Sequence, residues 1–457
     1  MSTIAAISTA TGNGGIGIIR MSGKKSFDIL NKIFKPVSKN EDEINGYSIK
    51  FGYIIDPENN EKIDEVLVSF FVSPKSYTTE NMCEINSHGG IIVEKRILEL
   101  CLKNGAELAE PGEFTKRAFL NGRIDLAQAE SVIDLINSKS DNEAKASINQ
   151  LEGKLSEKIQ SIRKKILDVM ADIEANIDYP EYDIEEITNS KIKVVLEEIK
   201  EDLIRLSETF ENGKMLKEGV KTIILGKPNA GKSSLLNAIL NEERAIVSEY
   251  AGTTRDTIEE YVNIDGISLK LIDTAGIRKT DDKIEEIGVK RALKLSEDAD
   301  LIIAIFDGSK ELDDEDLEIL KIIKNKKSII LLNKKDLGDL KLEENEYIKN
   351  NFKNVIKISA KNGEGIENIY KKISEMFNTN EIKMNDGVII TNLRHKNQIE
   401  KALKSVNEAL ESNEKGLPID IVSIPIIQVL HDLSSITGED VSEDIINEIF
   451  SKFCLGK

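Results

Sequence analysis

The sequence has few cysteines, no long apolar run and no excess of basic charge. Its 457 residues include only Cys83, Cys101 and Cys454 as cysteines, too few and too scattered for a disulfide framework or a four-ligand zinc site. The longest uninterrupted apolar run, Leu301–Phe306, is far shorter than the roughly 18 residues of a membrane span. A basic stretch and apolar core of the secretory type are also lacking at the N-terminus. We therefore expect a cytoplasmic protein that makes no use of a membrane.

Acidic residues outnumber basic residues by 81 to 62, which gives a formal net charge of −19. This balance argues against a protein that coats nucleic acid by bulk electrostatic attraction. Net charge does not describe how charges are distributed, so a local basic groove is still compatible with the composition. We expect any contact with nucleic acid to be confined to a patch.

The length suits about three domains, and the residue patterns divide the chain into four segments. Residues 1–117 mix short β-rich runs with one helix, Val93–Asn104, which indicates an α/β domain. Residues 118–218 and 379–457 show the spacing of long helices, interrupted near Pro180. These two helical stretches could form one discontinuous domain, with the segment between them inserted.

Residues 219–378 alternate apolar strands with amphipathic helices, which predicts a mostly parallel sheet covered on both faces. The predicted strands are Thr222–Leu225, Leu269–Ile272, Leu301–Phe306, Ile329–Leu332 and Val355–Ile358. The fold class is therefore multidomain, with two α/β parts and an all-α part.

The stretch from Gly226 to Ser233 matches the phosphate-binding P-loop pattern, between a strand and a helix as that mechanism requires. Glycines let successive N–H groups converge on phosphate oxygens at a helix N-terminus. Lys232 suits the β- and γ-phosphates of a nucleotide, and the Ser233 hydroxyl suits Mg²⁺. The nucleotide-binding candidates here are Asn229, Ala230, Gly231, Lys232, Ser233 and Ser234.

Three further motifs follow predicted strands in the order of a GTPase. Asp273-Thr274-Ala275-Gly276 places a carboxylate near the Mg²⁺ shell and a glycine N–H near the γ-phosphate. Asn333-Lys334-Lys335-Asp336 supplies a carboxylate that can accept hydrogen bonds from guanine N1–H and the 2-amino group, and Ser359-Ala360-Lys361 is placed to support the base. Four motifs at four strand ends predict GTP hydrolysis.

The residues that activate water are less evident from the sequence. Gly252-Thr253-Thr254-Arg255-Asp256 is the candidate first switch, with Thr254 as a second Mg²⁺ hydroxyl. Ile277 occupies the position where Ras-type enzymes carry a water-orienting glutamine. Nearby acidic residues are more commonly solvated charges than catalysts. The candidates are Asp281, Asp282, Glu285 and Glu286.

Taken together, the motifs resemble the MnmE (TrmE) family of tRNA-modification GTPases along the whole chain. The resemblance implies an N-terminal tetrahydrofolate-binding and dimerisation domain, a two-part helical domain and an inserted Ras-like G domain. The motifs that carry it are Gly226–Ser233, Gly252–Asp256, Asp273–Gly276, Ile284–Gly288, Pro111–Phe114, Phe119–Arg123, Asp125–Glu130 and the ending Phe453-Cys454-Leu455-Gly456-Lys457.

The family resemblance implies a potassium-dependent GTPase that is activated by dimerisation of its G domains. The implied K⁺ ligands are Asn229, Ser248, the Tyr250 backbone carbonyl and Thr253. A cation there could neutralise charge on the β- and γ-phosphates as an arginine finger does. Glu285 matches the family's catalytic glutamate.

The resemblance also assigns the folate site to Arg20, Glu84, Arg123 and Lys457. Considered alone, Arg20 and Glu84 are typical of surface charges, and Cys454 is typical of a buried thiol at a helix end. Near a folate, Cys454 becomes a candidate functional thiol.

The implied reaction places an aminomethyl-type (carboxymethylaminomethyl) group on C5 of the wobble uridine, position 34, of certain tRNAs. The one-carbon unit would come from a tetrahydrofolate derivative of the methylene or 5-formyl type. The implied partners are a second copy of the chain, tRNA and the FAD-dependent protein MnmG (GidA), in a heterotetramer. A chain without that partner is expected to hydrolyse GTP without modifying tRNA.

Two other functions share parts of these motifs. A ribosome-assembly GTPase would use flanking domains to grip RNA, which the acidic C-terminal segment opposes. A folate-dependent one-carbon transferase would use the G domain only as a regulator. Hypomodified tRNA on loss of the gene would distinguish the tRNA-modification function from both.

Overall fold

The computed structural model describes residues 1–10, 12–37, 47–178, 185–240, 260–272, 296–377 and 387–457. The chain forms two compact units. The first contains residues 1–133, 150–196 and 404–457, and the second contains residues 134–149 and 197–403. The finer division into four segments at 117, 218 and 378 stays a prediction.

A seven-stranded sheet forms the N-terminal part of the first unit, in the order β3-β4-β5-β6-β2-β1-β7. Its neighbouring strands are antiparallel except for β1 and β7. Helices α1 and α2 contribute buried Leu30 and Ile97 to the same apolar core as Ile19 and Ile85 of the sheet. The elements are β1 (Ile4–Ile7), β2 (Gly17–Ser22), α1 (Ser26–Ile33), β3 (Phe34–Pro36), β4 (Ser48–Ile55), β5 (Lys62–Phe71), β6 (Met82–Ser87), α2 (Ile91–Lys103) and β7 (Glu107–Leu108).

The prediction of an α/β domain here is confirmed, but that of a single helix is wrong. The helix predicted at Val93–Asn104 is α2, which begins two residues earlier, and α1 and α3 (Glu113–Leu120) are additional helices within this part. Helix α1 is only eight residues long, so its two turns show little periodicity, although Ile29, Leu30 and Ile33 are buried.

Long helices form the rest of the first unit and cross into the second. The predicted spacing of a long helix is confirmed in α6, where the apolar residues that recur at helical spacing are all buried: Leu155, Ile159, Ile162, Ile166, Val169 and Ile173. Helix α6 ends at Asp178, just before Pro180, and packs against α14. The helices are α4 (Leu126–Ile136), α5 (Asp141–Leu151), α6 (Lys154–Asp178), α7 (Glu185–Glu208), α13 (Leu393–Glu414), α14 (Ile419–Thr437) and α15 (Glu443–Ser451).

Within the described ranges, α14 is the one helix whose length and composition would allow it to cross a membrane. The helix has 19 residues, and an 18-residue stretch within it has a mean hydropathy of 1.4, with half of that stretch buried within the fold. Asp420, Gln428 and Asp432 interrupt the apolar residues, which is why the sequence shows no long apolar run. Burial against α6 is the ordinary environment of a core helix in a folded domain.

A six-stranded sheet organises the second unit, in the order β13-β12-β11-β8-β10-β9. Five strands run parallel and only β9 is antiparallel to its neighbour, so the predicted mostly parallel sheet is confirmed. The elements are α8 (Phe210–Glu218), β8 (Val220–Leu225), α9 (Lys232–Leu240), β9 (Glu260–Ile264), β10 (Ile267–Leu271), β11 (Leu301–Asp307), α10 (Asp314–Ile323), β12 (Ser328–Asn333), α11 (Glu346–Asn351), β13 (Val355–Lys357) and α12 (Ile366–Met376).

Apolar cores lie on both faces of this sheet. Ile303 and Ile305 of β11 face one core, and Ile302 and Ala304 face the other, as alternation along a strand requires. Because parallel strands all point the same way, the residues after β8, β11, β12 and β13 gather at one edge.

Candidate nucleotide and anion sites

The P-loop connects the end of β8 to the start of α9. Asn229 and Gly231 have φ angles of 61° and 109°, left-handed conformations that turn backbone N–H groups toward a common point. The ammonium of Lys232 donates hydrogen bonds to the carbonyls of Gly226 (2.7 Å) and Lys227 (2.9 Å). The side chain therefore lies along its own loop, at the helix N-terminus where a phosphate would bind.

Two glycines of this loop are required by close contacts. A Cβ added at Gly226 would lie 2.4 Å from the carbonyl oxygen of Ile305 in the neighbouring strand, and one at Gly231 would lie 2.1 Å from Nδ2 of Asn333. Ser233 is half-buried in the first turn of α9, and Ser234 is exposed. The loop therefore fits tightly between its own sheet and the motif that follows β12.

Asn333 joins three sequence motifs through one buried side chain. Its Nδ2 donates to the carbonyl of Ala230 in the P-loop at 2.7 Å, and its Oδ1 accepts from the backbone N–H of Ala360 at 2.9 Å. Only 4% of the residue is exposed. The motifs of residues 226–233, 333–336 and 359–361 are thus brought together as the sequence predicts.

Asp336 has an oriented and ionised carboxylate. The Ser359 hydroxyl donates to its Oδ1 at 2.7 Å, and this hydrogen bond lowers the pKa of Asp336 below its usual value. The carboxylate is therefore charged at neutral pH and can accept hydrogen bonds from N–H groups. Lys361, in the same loop as Ser359, is exposed.

Asp307, which was not among the predicted site residues, ends β11 at the same sheet edge. The ammonium of Lys334 donates to its Oδ2 at 2.7 Å. Burial opposes ionisation of Asp307, yet the hydrogen bonds from Lys334 and Ser309 prevail and lower its pKa. A carboxylate directly after a buried apolar strand was the signal that could have identified it.

Twelve predicted or candidate site residues lie outside the described residues, so the structure assigns them no position. They are Ser248, Tyr250, Thr253, Thr254, Asp273, Thr274, Ala275, Gly276, Asp281, Asp282, Glu285 and Glu286.

A second site lies on the seven-stranded sheet of the first unit, where Arg20 of β2 is directly across from Glu84 of β6. Their side chains form an ion pair, with Nη2 and Oε1 2.8 Å apart and only 14% and 18% of the side chains exposed. The interpretation of these two residues as ordinary surface charges is therefore wrong. Cross-strand pairing between residues 64 positions apart explains why no local pattern shows it.

The C-terminal residues of the chain lie against this ion pair. The carbonyl of Gly456 accepts hydrogen bonds from Nη1 of Arg20 and from Oγ of Ser8, both at 3.1 Å. Burial, and next the charge of Arg20, lower the pKa of Lys457. An anion at this point would relieve the repulsion between Arg20 and Lys457.

Tyr77 connects the remaining cation to the cluster. The guanidinium of Arg123 lies 4.6 Å from the centre of the Tyr77 ring, and that of Arg20 lies 5.6 Å from it. The thiol of Cys454 is exposed, so its interpretation as a buried thiol is wrong. The predicted residues Arg20, Glu84, Arg123 and Lys457 thus belong to one cluster of three cations and one carboxylate. We call it the anion cluster because its excess of positive charge suits an anionic ligand.

The sheet edge of the second unit has the features of a P-loop GTPase. A phosphate loop follows β8. Asn333, which holds this loop, ends β12, and Asp336, an ionised carboxylate that can accept from guanine, comes soon after it. Ser359, which orients Asp336, follows β13.

Comparison with known proteins gives the family. The description "GTP-binding protein TrmE N-terminus" matches residues 3–123, and "MnmE helical domain" matches residues 126–454. The tRNA modification GTPase MnmE of Acetivibrio thermocellus is 51% identical over 456 residues, which cover 100% of this chain and 99% of the relative. That of Clostridioides difficile is 50% identical over 458 residues, with coverage of 100% and 99%.

A solved structure of the G domain of the T. maritima FeoB iron transporter is 30% identical in sequence to the matching part of this chain. The match covers 34% of this chain and 97% of that chain, with a TM-score of 0.26. The full-length relatives and the two family matches decide the assignment. The chain belongs to the MnmE family of tRNA modification GTPases.

Proposed function

We propose that this protein hydrolyses GTP at the P-loop to drive modification of tRNA at C5 of the wobble uridine, position 34, with an aminomethyl-type group. The observation that carries the proposal is that one chain holds both the anion cluster and a sheet edge where Asn333 joins the P-loop to the loop that orients Asp336. That chain is 51% identical, over 100% of its length, to a tRNA modification GTPase. The protein is a GTPase in class, and tRNA is its proposed macromolecular substrate.

Each described residue of the nucleotide site has a role that follows from its contacts. Lys232 turns from its own loop carbonyls toward the β- and γ-phosphates, and the Ser233 hydroxyl would hold Mg²⁺. Asp336, held by Ser359, accepts from guanine N1–H and the 2-amino group. Asn333 fixes the distance between the phosphate loop and the base-reading loop.

For hydrolysis we assign roles that the family resemblance implies. Glu285 orients the attacking water, because Ile277 is aliphatic and cannot. Asn229, Ser248, the Tyr250 carbonyl and Thr253 would hold K⁺, which would neutralise phosphate charge, and Thr254 would complete the Mg²⁺ shell. Asn229 is exposed in a left-handed conformation in the P-loop, which suits a side-chain ligand that faces the nucleotide.

The anion cluster fits a tetrahydrofolate derivative, a bicyclic ring system with a carboxylate tail. Arg20, Arg123 and Lys457 supply positive charge, Tyr77 supplies an aromatic surface, and Glu84 can accept from ring N–H groups. When bound, the folate would supply the one-carbon unit. Cys454, exposed two residues from Gly456, is a candidate thiol for that chemistry.

An exposed apolar surface on the same sheet supports a homodimer. Phe51 of β4 lies directly across from Leu67 of β5, and both are exposed, as are Ile49 and Tyr47. Residue 69, which shares a strand face with Leu67, lies across from Glu84, so the apolar surface adjoins the anion cluster. A second copy that covers this surface would place two anion clusters at one interface, since contiguous exposed apolar surface commonly marks an interface.

The proposal includes a cytoplasmic location and a heterotetramer with the FAD-dependent protein MnmG. Hydrolysis needs only this chain, whereas modification needs both proteins and tRNA. The alternative of a ribosome-assembly GTPase would use the same nucleotide site without the anion cluster.

The test is mass analysis of wobble uridines in a strain that lacks the gene, complemented with variants of the full chain. Wild type is expected to restore the modified uridine. Glu285→Ala should not, since loss of one positioned catalytic group lowers kcat by roughly 10²–10³-fold. Glu286→Ala is the matched control and should restore it. Normal uridine with disturbed ribosomal subunits in the deletion strain would favour the alternative.

A further inference from the structure

The β9–β10 hairpin connects, along the chain, the two segments that carry the proposed Mg²⁺ and water-activating residues. Strand β9 begins at Glu260, soon after Thr254, and β10 ends at Leu271, just before Asp273. Its turn is tight: Asp265 and Gly266 have φ angles of 49° and 84°, and Oδ1 of Asn263 accepts from the Gly266 N–H at 3.0 Å. The position of this hairpin therefore limits where the chain enters both segments.

The start of helix α5 holds this hairpin through three contacts. Nδ2 of Asn142 donates to the carbonyl of Gly266 at 3.2 Å, and Nδ2 of Asn263 donates to the carbonyl of Lys139 at 3.5 Å. The ammonium of Lys139 lies 3.4 Å from the centre of the buried Tyr261 ring. A cation this close to a desolvated aromatic face gives a strong cation–π contact.

The holding segment is itself fixed in place. Oγ of Ser140 accepts from the N–H of Glu143 at 3.2 Å, and Oε2 of Glu143 accepts from the N–H of Lys139 at 2.7 Å, a reciprocal cap at the helix start. On the hairpin, Oδ2 of Asp265 accepts from the Ser374 hydroxyl of α12 at 3.1 Å. The turn of the hairpin is thus fixed both by α12 and by residues 139–143.

We propose that Lys139 and Asn142 are positioning residues for GTP hydrolysis, which act through the hairpin on the two segments that it connects. In the sequence they belong to the stretch predicted as helical, yet they lie in the same compact unit as the P-loop sheet, so the contact lets that stretch influence the hydrolysis rate. This inference rests on the proposed function and deepens it by naming residues that regulate the same site.

The test compares full-length Lys139→Met and Asn142→Ala with wild type in KCl. The variants should lower kcat for GTP hydrolysis about 3- to 30-fold, the range expected for residues that modulate coupling without contacting ligand. KM and the affinity for GDP should stay unchanged, because Lys139 and Asn142 hold the hairpin, whereas GDP would be bound by the P-loop and Asp336. Lys139→Arg keeps a cation over Tyr261 and should restore the rate. Lys145→Met, an exposed position on the same helix, is the matched control.

If Lys139 and Asn142 only supported folding, their replacement would lower kcat and GDP affinity together. Lys139→Arg would then not restore kcat independently of GDP affinity. Parallel loss of both quantities, or hydrolysis by Lys139→Met at the wild-type rate, would overturn the positioning role while the proposed function stands. Absence of hydrolysis by the wild-type chain would overturn the proposed function and the positioning role together.

Discussion

Replacement of Asn333 with alanine tests the construction of the nucleotide site most directly. The side chain makes two hydrogen bonds, to the Ala230 carbonyl at 2.7 Å and from the Ala360 N–H at 2.9 Å. Ala230, Ala360 and Asn333 itself are all buried. The variant therefore removes two bonds and leaves two backbone groups of the site without these partners.

The cost follows from the burial of those groups. A buried polar group left without a partner costs about 1–3 kcal/mol, so two such groups give about 2–6 kcal/mol as an upper range. Water can enter the space left by the amide and reduce this cost, so we expect about 2–3 kcal/mol in the free energy of unfolding. Once the phosphate loop and the Ser359–Lys361 loop are no longer held together, GDP affinity should fall roughly 10- to 100-fold, about 1.4–2.7 kcal/mol.

Two assays separate the effects: titration with a fluorescent GDP analogue and urea-induced unfolding of the ligand-free chain. Asn362→Ala, at an exposed position in the neighbouring loop, is the control and should bind GDP like wild type. Wild-type GDP affinity in Asn333→Ala would refute the reasoning, since the bridge would then have no part in holding the two loops.

Three further predictions concern base recognition, cation dependence and pH. Asp336→Asn should shift preference from GTP toward xanthosine triphosphate, because an amide can donate to the 2-oxo group; competition assays with both nucleotides measure this, and unchanged GTP preference refutes it. Hydrolysis should be faster in KCl than in NaCl at equal ionic strength, given Asn229 in the P-loop and Ile277 in place of glutamine; equal turnover in both salts contradicts the potassium assignment. Burial raises the pKa of Glu143 from 4.5 to about 7, in spite of opposing contributions from Lys139 and Lys217. The folded state therefore binds more protons than the unfolded state, so the free energy of unfolding should fall as pH rises from about 4.5 to about 7 and level off above it; Glu143→Gln should flatten that slope in denaturation curves.

The sequence identifies the motifs of the proposed nucleotide site because their signals are local. A P-loop needs glycines at fixed spacing between a strand and a helix, so Gly226 to Ser233 identify it without further context. Asp336 and Ser359 each follow an apolar strand, and parallel strands bring such positions to one edge. The hydrogen bond of 2.7 Å between them was not predicted, because the sequence does not show the conformation of the two loops.

The features that the sequence did not predict depend on residues far apart in the chain. The burial of Arg20 arises from its pairing with Glu84 across β2 and β6 and from the Gly456 carbonyl. The contact between Asn142 and Gly266 joins residues 124 positions apart. No periodicity or spacing in a single segment contains this information, because strand register and helix packing are decided by the whole core.

The anion cluster explains how an acidic chain can bind an anionic ligand. A net charge of −19 spread over the protein acts weakly at any one point, since charges more than about 8–10 Å away are largely screened at physiological ionic strength. Arg20 is largely buried and Lys457 is half-buried near it, so their charges are screened less than charges in open water. Glu84 neutralises only one of the three cations of the cluster, so a local positive charge remains. The overall composition therefore argues against binding of an anion by bulk electrostatic attraction. Binding of an anion at a small, partly buried cluster is compatible with the same composition.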